Sequence, residues 1–503
     1  MNMLNLQSRP RPDHAHRQQG HGNPSSILRY RSNVRAPAGF TVLKIQLTFL
    51  CLQLLGSAVQ AATQPNILLI YVDDLGYGDL GSYGHPVLQT PNIDALAANG
   101  LRLTSYYAPS AICSPSRAAL LTGRLPYRTG IKSWIPEDSG IYLRDAEVTL
   151  AEVLKDAGYG TAHIGKWHLN SDLGSTREPQ PTDQGFDYFY GHNAFQMPTN
   201  HNPVNIFRNK TALPMQEGYT AELYASEAIQ WLERRDENKP FFLYLSMAEP
   251  HTTIENPPAY NDLYAQYTDG EIVPIPNGSP VPPKDLLVPR GPGEYYANIT
   301  YMDAQLGRVL DWLREHDLVE NTVVVFSSDN GPVTSNWINW WEVNAYGSTG
   351  GYRGRKHFLY EGGLRVPAII RYPNVIEPGS ESDALVIGMD LFVTLANIGG
   401  GKVPDDRAID GIDVRPIFSG GELPQRSLFW ALDSVSELQF AIRKGSWKLL
   451  LDKEQNPREL YNLVEDPLEF FNLIDEEQEI SAQLASEAAA ILADIASDPL
   501  RPN

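Results

Sequence analysis

Cysteine is nearly absent from this chain: 503 residues hold only Cys51 and Cys113. No disulfide framework can brace the fold, and Cys113 has no intramolecular partner once Cys51 leaves with a leader. Uninterrupted apolar runs of membrane-spanning length are missing too. The apolar stretch 45–55 is broken by Gln46, Thr48 and Gln53 and is too short to prefer a stable membrane span. Positive charge is in deficit: 40 Lys and Arg stand against 60 Asp and Glu, a net charge of −20. That balance excludes nucleic acid and anionic membrane surfaces as partners. No G-x-S-x-G segment is present, so a serine hydrolase finds no support, and no internal repeat occurs.

Residues 1–61 differ from the rest. They carry seven Lys or Arg against the single acid Asp13, a net charge of +6. Lys44 precedes the apolar stretch, and Gly56-Ser57-Ala58-Val59-Gln60-Ala61 follows it. A basic flank, a short apolar core and a small-residue end predict a secretory signal with cleavage near Ala61, hence an exported protein, periplasmic or secreted. The Pro-, Arg-, His- and Gln-rich residues ahead of it lack periodicity and are set outside the fold as disordered leader. Without 1–61 the remainder carries −26. Its size suits one large α/β core, 62–420, with a smaller α+β unit over 421–503. A field so negative repels anions, so any anion site must be a local basic pocket.

The mature chain opens with Asn66-Ile67-Leu68-Leu69-Ile70-Tyr71-Val72, a continuous apolar run of the kind buried on both faces of a sheet. Helices are predicted over 146–157, 221–235 and 296–316, and strands over 161–164, 241–245 and 322–326. The alternation indicates a large mixed, mostly parallel sheet sandwiched by helices. In such sheets functional groups gather beyond the carboxyl ends of strands. Asp73-Asp74, His251 and Asp329-Asn330 all follow predicted strands. After about residue 420 come shorter strands, 438–443 and 447–451, and a helix over 476–495. The Pro- and Gly-rich stretch 268–293 reads as a long loop.

The run Cys113-Ser114-Pro115-Ser116-Arg117-Ala118-Ala119-Leu120-Leu121-Thr122-Gly123-Arg124 places Pro115 in a first helical turn and Gly123 at a helix stop. Residue 113 then lies at a helix N-terminus, where backbone N–H groups favour an anion. The run resembles, at every fixed position, the C-x-P-S-R-x-x-x-L-T-G-R signature of the type I, arylsulfatase-like sulfatases. The resemblance extends over about 64–475 through further motifs. It implies an alkaline-phosphatase-like architecture and the oxidation of Cys113 to 3-oxoalanine (formylglycine) by a formylglycine-generating maturation enzyme.

Asp73, Asp74, Asp329 and Asn330 are hard oxygen donors suited to Ca²⁺ or Mg²⁺. The resemblance implies that they hold one such ion, usually calcium, together with the modified residue 113. Either pair alone more often marks a strand-end turn. Gly165-Lys166-Trp167-His168 resembles the family segment whose lysine and histidine contact formylglycine, and Arg117 lies one turn beyond Cys113. His251 occupies the family's second histidine position, although Ala248 stands where many relatives carry another. Gly354 to Pro367 resembles a K-x4-E-G-G-x-R-x-P block, in which Lys356 holds the sulfate while Glu361 and Arg365 pair structurally. Catalytic roles thus fall to Cys113, Arg117, Lys166, His168, His251 and Lys356. In the cycle that the resemblance implies, the hydrated aldehyde attacks sulfur, His251 or Lys356 protonates the leaving alkoxide, and His168 takes the proton that drives sulfate out.

The expected activity is hydrolysis of sulfate esters on a sulfated carbohydrate. Segment 191–202 and the Trp337 to Trp341 stretch, rich in aromatic, His and Asn residues, suit sugars and equally suit packing. The alternatives are a formylglycine-dependent phosphonate monoester or phosphodiester hydrolase, and a non-catalytic polysaccharide-binding relative with unconverted Cys113.

Overall fold

The computed structural model describes residues 64–267, 291–333, 346–433 and 436–502. The leader, most of the 268–293 stretch and Trp337 to Trp341 lie outside the described residues. In chain order the strands are β1 (Asn66–Val72), β2 (Leu101–Leu103), β3 (Tyr106–Tyr107), β4 (Gly160–Gly165), β5 (Tyr188–Gly191), β6 (Phe207–Arg208), β7 (Thr211–Ala212), β8 (Phe241–Ser246), β9 (Thr322–Ser328), β10 (Ala368–Arg371), β11 (Ser380–Ser382), β12 (Val386–Ile387), β13 (Ser427–Ala431), β14 (Leu438–Lys444), β15 (Trp447–Asp452) and β16 (Pro457–Asn462). The helices needed below are α1 (Pro91–Ala98), α2 (Cys113–Thr122), α3 (Leu150–Asp156), α4 (Thr220–Arg234), α5 (Pro292–Glu315), α6 (Met389–Ile398) and α7 (Gln478–Ser497).

Ten strands form one sheet in the order β11-β2-β10-β9-β1-β8-β4-β5-β6-β7. The central five, β9-β1-β8-β4-β5, are all parallel. β10 runs antiparallel to both β9 and β2, so the sheet is mixed, as expected. β1 sits at its middle and is buried along its whole length. Its side chains alternate between two cores. Ile67, Leu69 and Tyr71 pack with residues of α2, α3 and α6, whereas Leu68, Ile70 and Val72 pack with α1, α4 and α5. A strand covered on both faces explains the unbroken apolar run.

Local chemistry moves two expected boundaries. The helix expected over 146–157 starts only at Leu150, because Thr149 Oγ1 accepts from Glu152 N at 3.2 Å while Glu152 Oε2 accepts from Thr149 N at 2.7 Å. The helix expected from 296 starts earlier, at Pro292, where the ring in the first turn removes an N–H that had no partner to lose.

The C-terminal sheet, β13-β14-β15-β16, is antiparallel and is covered by α7. Helix α7 is not its only partner. Trp430 and Leu450, which the register puts on one face, share a core with Ile112, Cys113, Ala119 and Leu364, and Trp430 Nε1 donates to Ala108 O at 2.9 Å. The second sheet therefore buttresses the N-terminus of α2. Among the described residues no helix is long and apolar enough to cross a membrane.

Candidate active site

Four parallel neighbours, β4, β8, β1 and β9, end on the same edge of the sheet, and each hands a polar group across that edge. Registers Tyr71 with Ser246, Val72 with Ser328 and Gly165 with Ser246 bring these ends level. Asp73 and Asp74 leave β1, Lys166 and His168 leave β4, His251 follows β8, and Asp329 and Asn330 follow β9. Gly165 permits the turn: it has φ +111°, and a Cβ there would stand 1.7 Å from Ser246 O. Asp74 (φ 66°) and His168 (φ 53°) also occupy the left-handed region, where side chains other than glycine's are strained.

Cys113 is the first residue of α2, as its motif predicts, and Gly123 closes the helix in the left-handed conformation at φ 69°. The N-cap residue, Ile112, makes no side-chain cap hydrogen bond, and the helix start is of the kind that favours an anion. The Cys113 side chain is 3% exposed. Asp73, Cys113 and Asp329 offer ligand atoms within 4.8 Å of one another, as do Asp73, Asp74 and His251.

Three cations counter the three carboxylates. Lys166 Nζ donates to Asp73 Oδ2 at 2.5 Å, and Lys356 Nζ donates to Asp74 Oδ1 at 2.5 Å. Arg117 donates to Asp329 Oδ2 through Nε at 3.0 Å and Nη2 at 2.7 Å, and to Ser246 Oγ at 2.5 Å. The inward oxygens Asp73 Oδ1, Asp74 Oδ2 and Asn330 Oδ1 are buried and receive no hydrogen bond among the described residues. Arg117 Nη2 stands 3.7 Å from Asp73 Oδ1, and His251 Nε2 stands 3.7 Å from Asp74 Oδ2. Unsatisfied buried acceptors are costly, and three hard oxygens converging beside Cys113 fit a divalent cation of the calcium or magnesium type. Adding such an ion to a balanced set makes the pocket positive, which answers the repulsion expected from the acidic chain.

The geometry also fixes proton positions. His168 Nε2 lies 3.1 Å from Ile135 O and must donate to it, leaving Nδ1 as the lone-pair nitrogen. Burial, then Lys166 and Arg117, push the His168 imidazolium well below its ordinary range, so the ring stays neutral. His251 Nδ1 donates to Thr252 O at 2.7 Å, which turns Nε2 toward Asp74. Burial pushes the Cys113 thiol up despite Lys166 and Lys356, so an unmodified thiol here is a poor nucleophile.

Every residue predicted for the site is thus brought to one place. Three roles were not foreseen, those of Ser246, Ser114 and Asp79. Ser246 holds Arg117, and Ser114 Oγ accepts from Ile135 N at 3.1 Å, tying the helix start to the His168 support. Of the two readings left open for segment 191–202, His192 takes packing: it is fully buried, with Nδ1 2.5 Å from Tyr224 Oη. Asp79 braces the turn after Asp74: Oδ2 accepts from Gly76 N and Tyr295 Oη at 2.8 Å each, and Oδ1 accepts from Ser348 N at 2.7 Å. The only sequence sign of Asp79 was its place in the glycine-rich turn.

Burial pushes the Asp79 carboxyl up to about 7 from 3.8, outweighing those hydrogen bonds. A folded state that holds its proton more tightly than the unfolded chain is most favoured at low pH and loses that advantage as pH rises through the folded value. The urea midpoint is therefore expected to fall between about pH 4 and about pH 7. Asp79→Asn should flatten that slope; an unchanged slope would assign the pH dependence to other groups.

Known proteins resemble the chain over this whole region. A family model described as sulfatase matches residues 65–401, and one described as N-sulphoglucosamine sulphohydrolase, C-terminal, matches residues 350–494. Arylsulfatase A of Homo sapiens is 34% identical over 427 residues, covering 78% of this chain and 76% of its own. N-acetylgalactosamine-6-sulfatase of Homo sapiens is 32% identical over 399 residues, covering 75% and 70%. Among solved structures, Ps i-CgsB in complex with k-i-k-neocarrahexaose has a TM-score of 0.71 at 26% identity, covering 84% of this chain and 92% of that one.

Proposed function

Because the chain belongs to the sulfatase family, with its alkaline-phosphatase-like fold and sulfuric ester hydrolase activity, we propose that it is an exported enzyme that removes sulfate from carbohydrates through a formylglycine made from Cys113. The observation that carries this reading is the setting of Cys113: a buried helix N-terminus within ligand reach of Asp73 and Asp329, faced by Lys166 and Lys356. The oxidised residue would supply a geminal diol, with one hydroxyl to attack sulfur and a second to drive sulfate release. Asp73, Asp74, Asp329 and Asn330 would hold a calcium or magnesium ion, which supplies charge neutralisation at the sulfate oxygens.

The chain's own groups divide the remaining work. Arg117 and Lys166 fix the carboxylates that surround residue 113. His168, neutral with its lone pair on Nδ1, is the base for the second hydroxyl. Lys356 binds the sulfate group, and either its ammonium or a His251 ring that has taken up a second proton, on Nε2, delivers the proton to the departing alkoxide. A carbohydrate substrate is supported by the carbohydrate names of a relative and a structural neighbour, N-acetylgalactosamine-6-sulfatase and the neocarrahexaose complex.

The test is co-expression with a formylglycine-generating enzyme, peptide mass spectrometry of residue 113, and ion chromatography of sulfate released from a panel of sulfated glycans. A loss of about 18 Da at Cys113, with release that EGTA abolishes and calcium restores, is expected. An intact thiol with no sulfate released would overturn the reading and leave a binding protein.

A further inference from the structure

Lys356 reaches the site on a segment whose two ends are gripped by the C-terminal sheet. At one end Arg353 lies 3.9 Å over the Tyr360 ring and donates to Tyr461 Oη at 2.8 Å and to Glu469 O at 2.9 Å. At the other end Glu361 is fully buried. Its Oε2 accepts from Tyr107 Oη at 2.6 Å, its Oε1 accepts from Lys448 Nζ at 3.0 Å, and its backbone N donates to Glu469 Oε2 at 2.7 Å. Lys448 Nζ also lies 2.9 Å from Glu469 Oε1, so one ammonium bridges two carboxylates. Arg365 and Arg443 stand farther from Glu361, at 3.6 and 3.8 Å.

Between those grips the segment folds back on itself and onto the site. Gly362 N donates to Arg353 O at 2.7 Å, Lys356 N to Pro332 O at 2.9 Å and His357 N to Ala111 O at 2.9 Å. Pro332 follows the ligand Asn330, and Ala111 precedes Cys113. A Cβ on Gly362 would stand 2.3 Å from Gly354 O, which leaves the loop no slack. The Lys356 ammonium is therefore placed by a closed loop whose anchor is Lys448, a residue of β15 that touches none of the predicted catalytic groups.

We propose that Lys448 is a positioning residue for the reaction: by bridging Glu361 and Glu469 it sets the position of Lys356. This rests on the proposed role of Lys356 in holding sulfate. Removing the ammonium leaves two buried carboxylates without their shared cation. They then separate or take up a proton, and in both cases the end of the loop moves. A displacement on the order of 1 Å at a group that orients substrate costs about 10²-fold in rate.

The experiment compares matured, calcium-loaded wild type with Lys448→Met and Lys448→Arg by lysine acetylation, read peptide by peptide in a mass spectrometer, alongside sulfate-ester turnover. Lys356 is 6% exposed and Lys166 is fully buried, so both resist labelling in the wild type. In Lys448→Met, Lys356 is expected to label at least about fivefold faster while Lys166 keeps its rate, and kcat/KM falls about 10- to 100-fold. Lys448→Arg, which can still reach both carboxylates, restores protection. In the double variant Lys356→Met with Lys448→Met, turnover falls no further than in Lys356→Met alone. Equal acceleration at Lys356 and Lys166, no acceleration at either, or additive losses in the double variant overturns the proposal. If Lys448→Met fails to fold, Glu469→Gln, which keeps an acceptor for Glu361 N, is read in the same way. A wild type that turns over no sulfate ester defeats the functional reading instead, and the labelling comparison still decides this one.

Discussion

Cys113→Ala is expected to eliminate sulfate-ester hydrolysis, by about 10⁴-fold or more, with the folded state almost untouched. Cys113 occupies a helix of ten buried residues, and alanine is the best helix former. The substitution removes one buried sulfur, so the midpoint of urea unfolding should shift only slightly. Activity has no such tolerance. Lys166, Lys356, Arg117 and the oxygen cluster all converge where the new methyl group can neither be oxidised to an aldehyde nor attack sulfur. Cys113→Ser sharpens the test. A serine hydroxyl in that position can accept the sulfuryl group once, but it has no second hydroxyl for His168 to deprotonate. One equivalent of alcohol product should therefore appear in a burst, followed by no turnover. Steady turnover by either variant would remove residue 113 from the chemistry.

Arg117→Met is expected to cost about 3–5 kcal/mol of folding stability. Arg117 is fully buried, and its fork spans Asp329, Ser246 and the Lys166 carbonyl. Methionine fills the volume without the charge. Asp329, already pushed up by burial and by Asp73, then loses its only hydrogen-bonded cation among the described residues. Arg117→Lys keeps the charge but cannot reach Asp329 twice and Ser246 at once, so its loss should be intermediate. Urea unfolding in excess calcium and in EGTA separates the two contributions: a bound cation supplies charge to Asp329 and should soften the Arg117→Met deficit. An Arg117→Met midpoint equal to that of wild type would show that the fork stabilises nothing.

The central strands and the groups at their ends were legible because a doubly covered strand must be apolar along its whole length, and the break to Asp73-Asp74 or Asp329-Asn330 marks its exit. The helix at Cys113 was legible from Pro115 and Gly123. The antiparallel strands β2 and β10 were not, since three or four residues carry too little pattern to declare a direction. Lys448 was invisible for a different reason. In Trp447-Lys448-Leu449-Leu450-Leu451 a lone lysine reads as a solvent-facing position, yet its side chain is fully buried. Only partners distant in sequence, Glu361 and Glu469, make that burial tolerable, and no local window contains all three. Partner choice within the site was hidden in the same way: nothing near Arg117 announces Asp329, 212 positions away.

The position of β1 at the centre of the sheet has a consequence in time. Its partners begin at Phe241 and Thr322, so the first of the described strands keeps both hydrogen-bonding edges open until six of the ten strands of the main sheet have been made, and one edge open until β9. Throughout that interval a strand of unbroken apolar character is available to other nascent chains. Any fragment ending before Ser328 would carry that hazard permanently. The cysteine at the start of α2 depends on late segments too: residues of β13 to β16, from the end of the chain, share its core, so its burial is complete only in a chain that carries them.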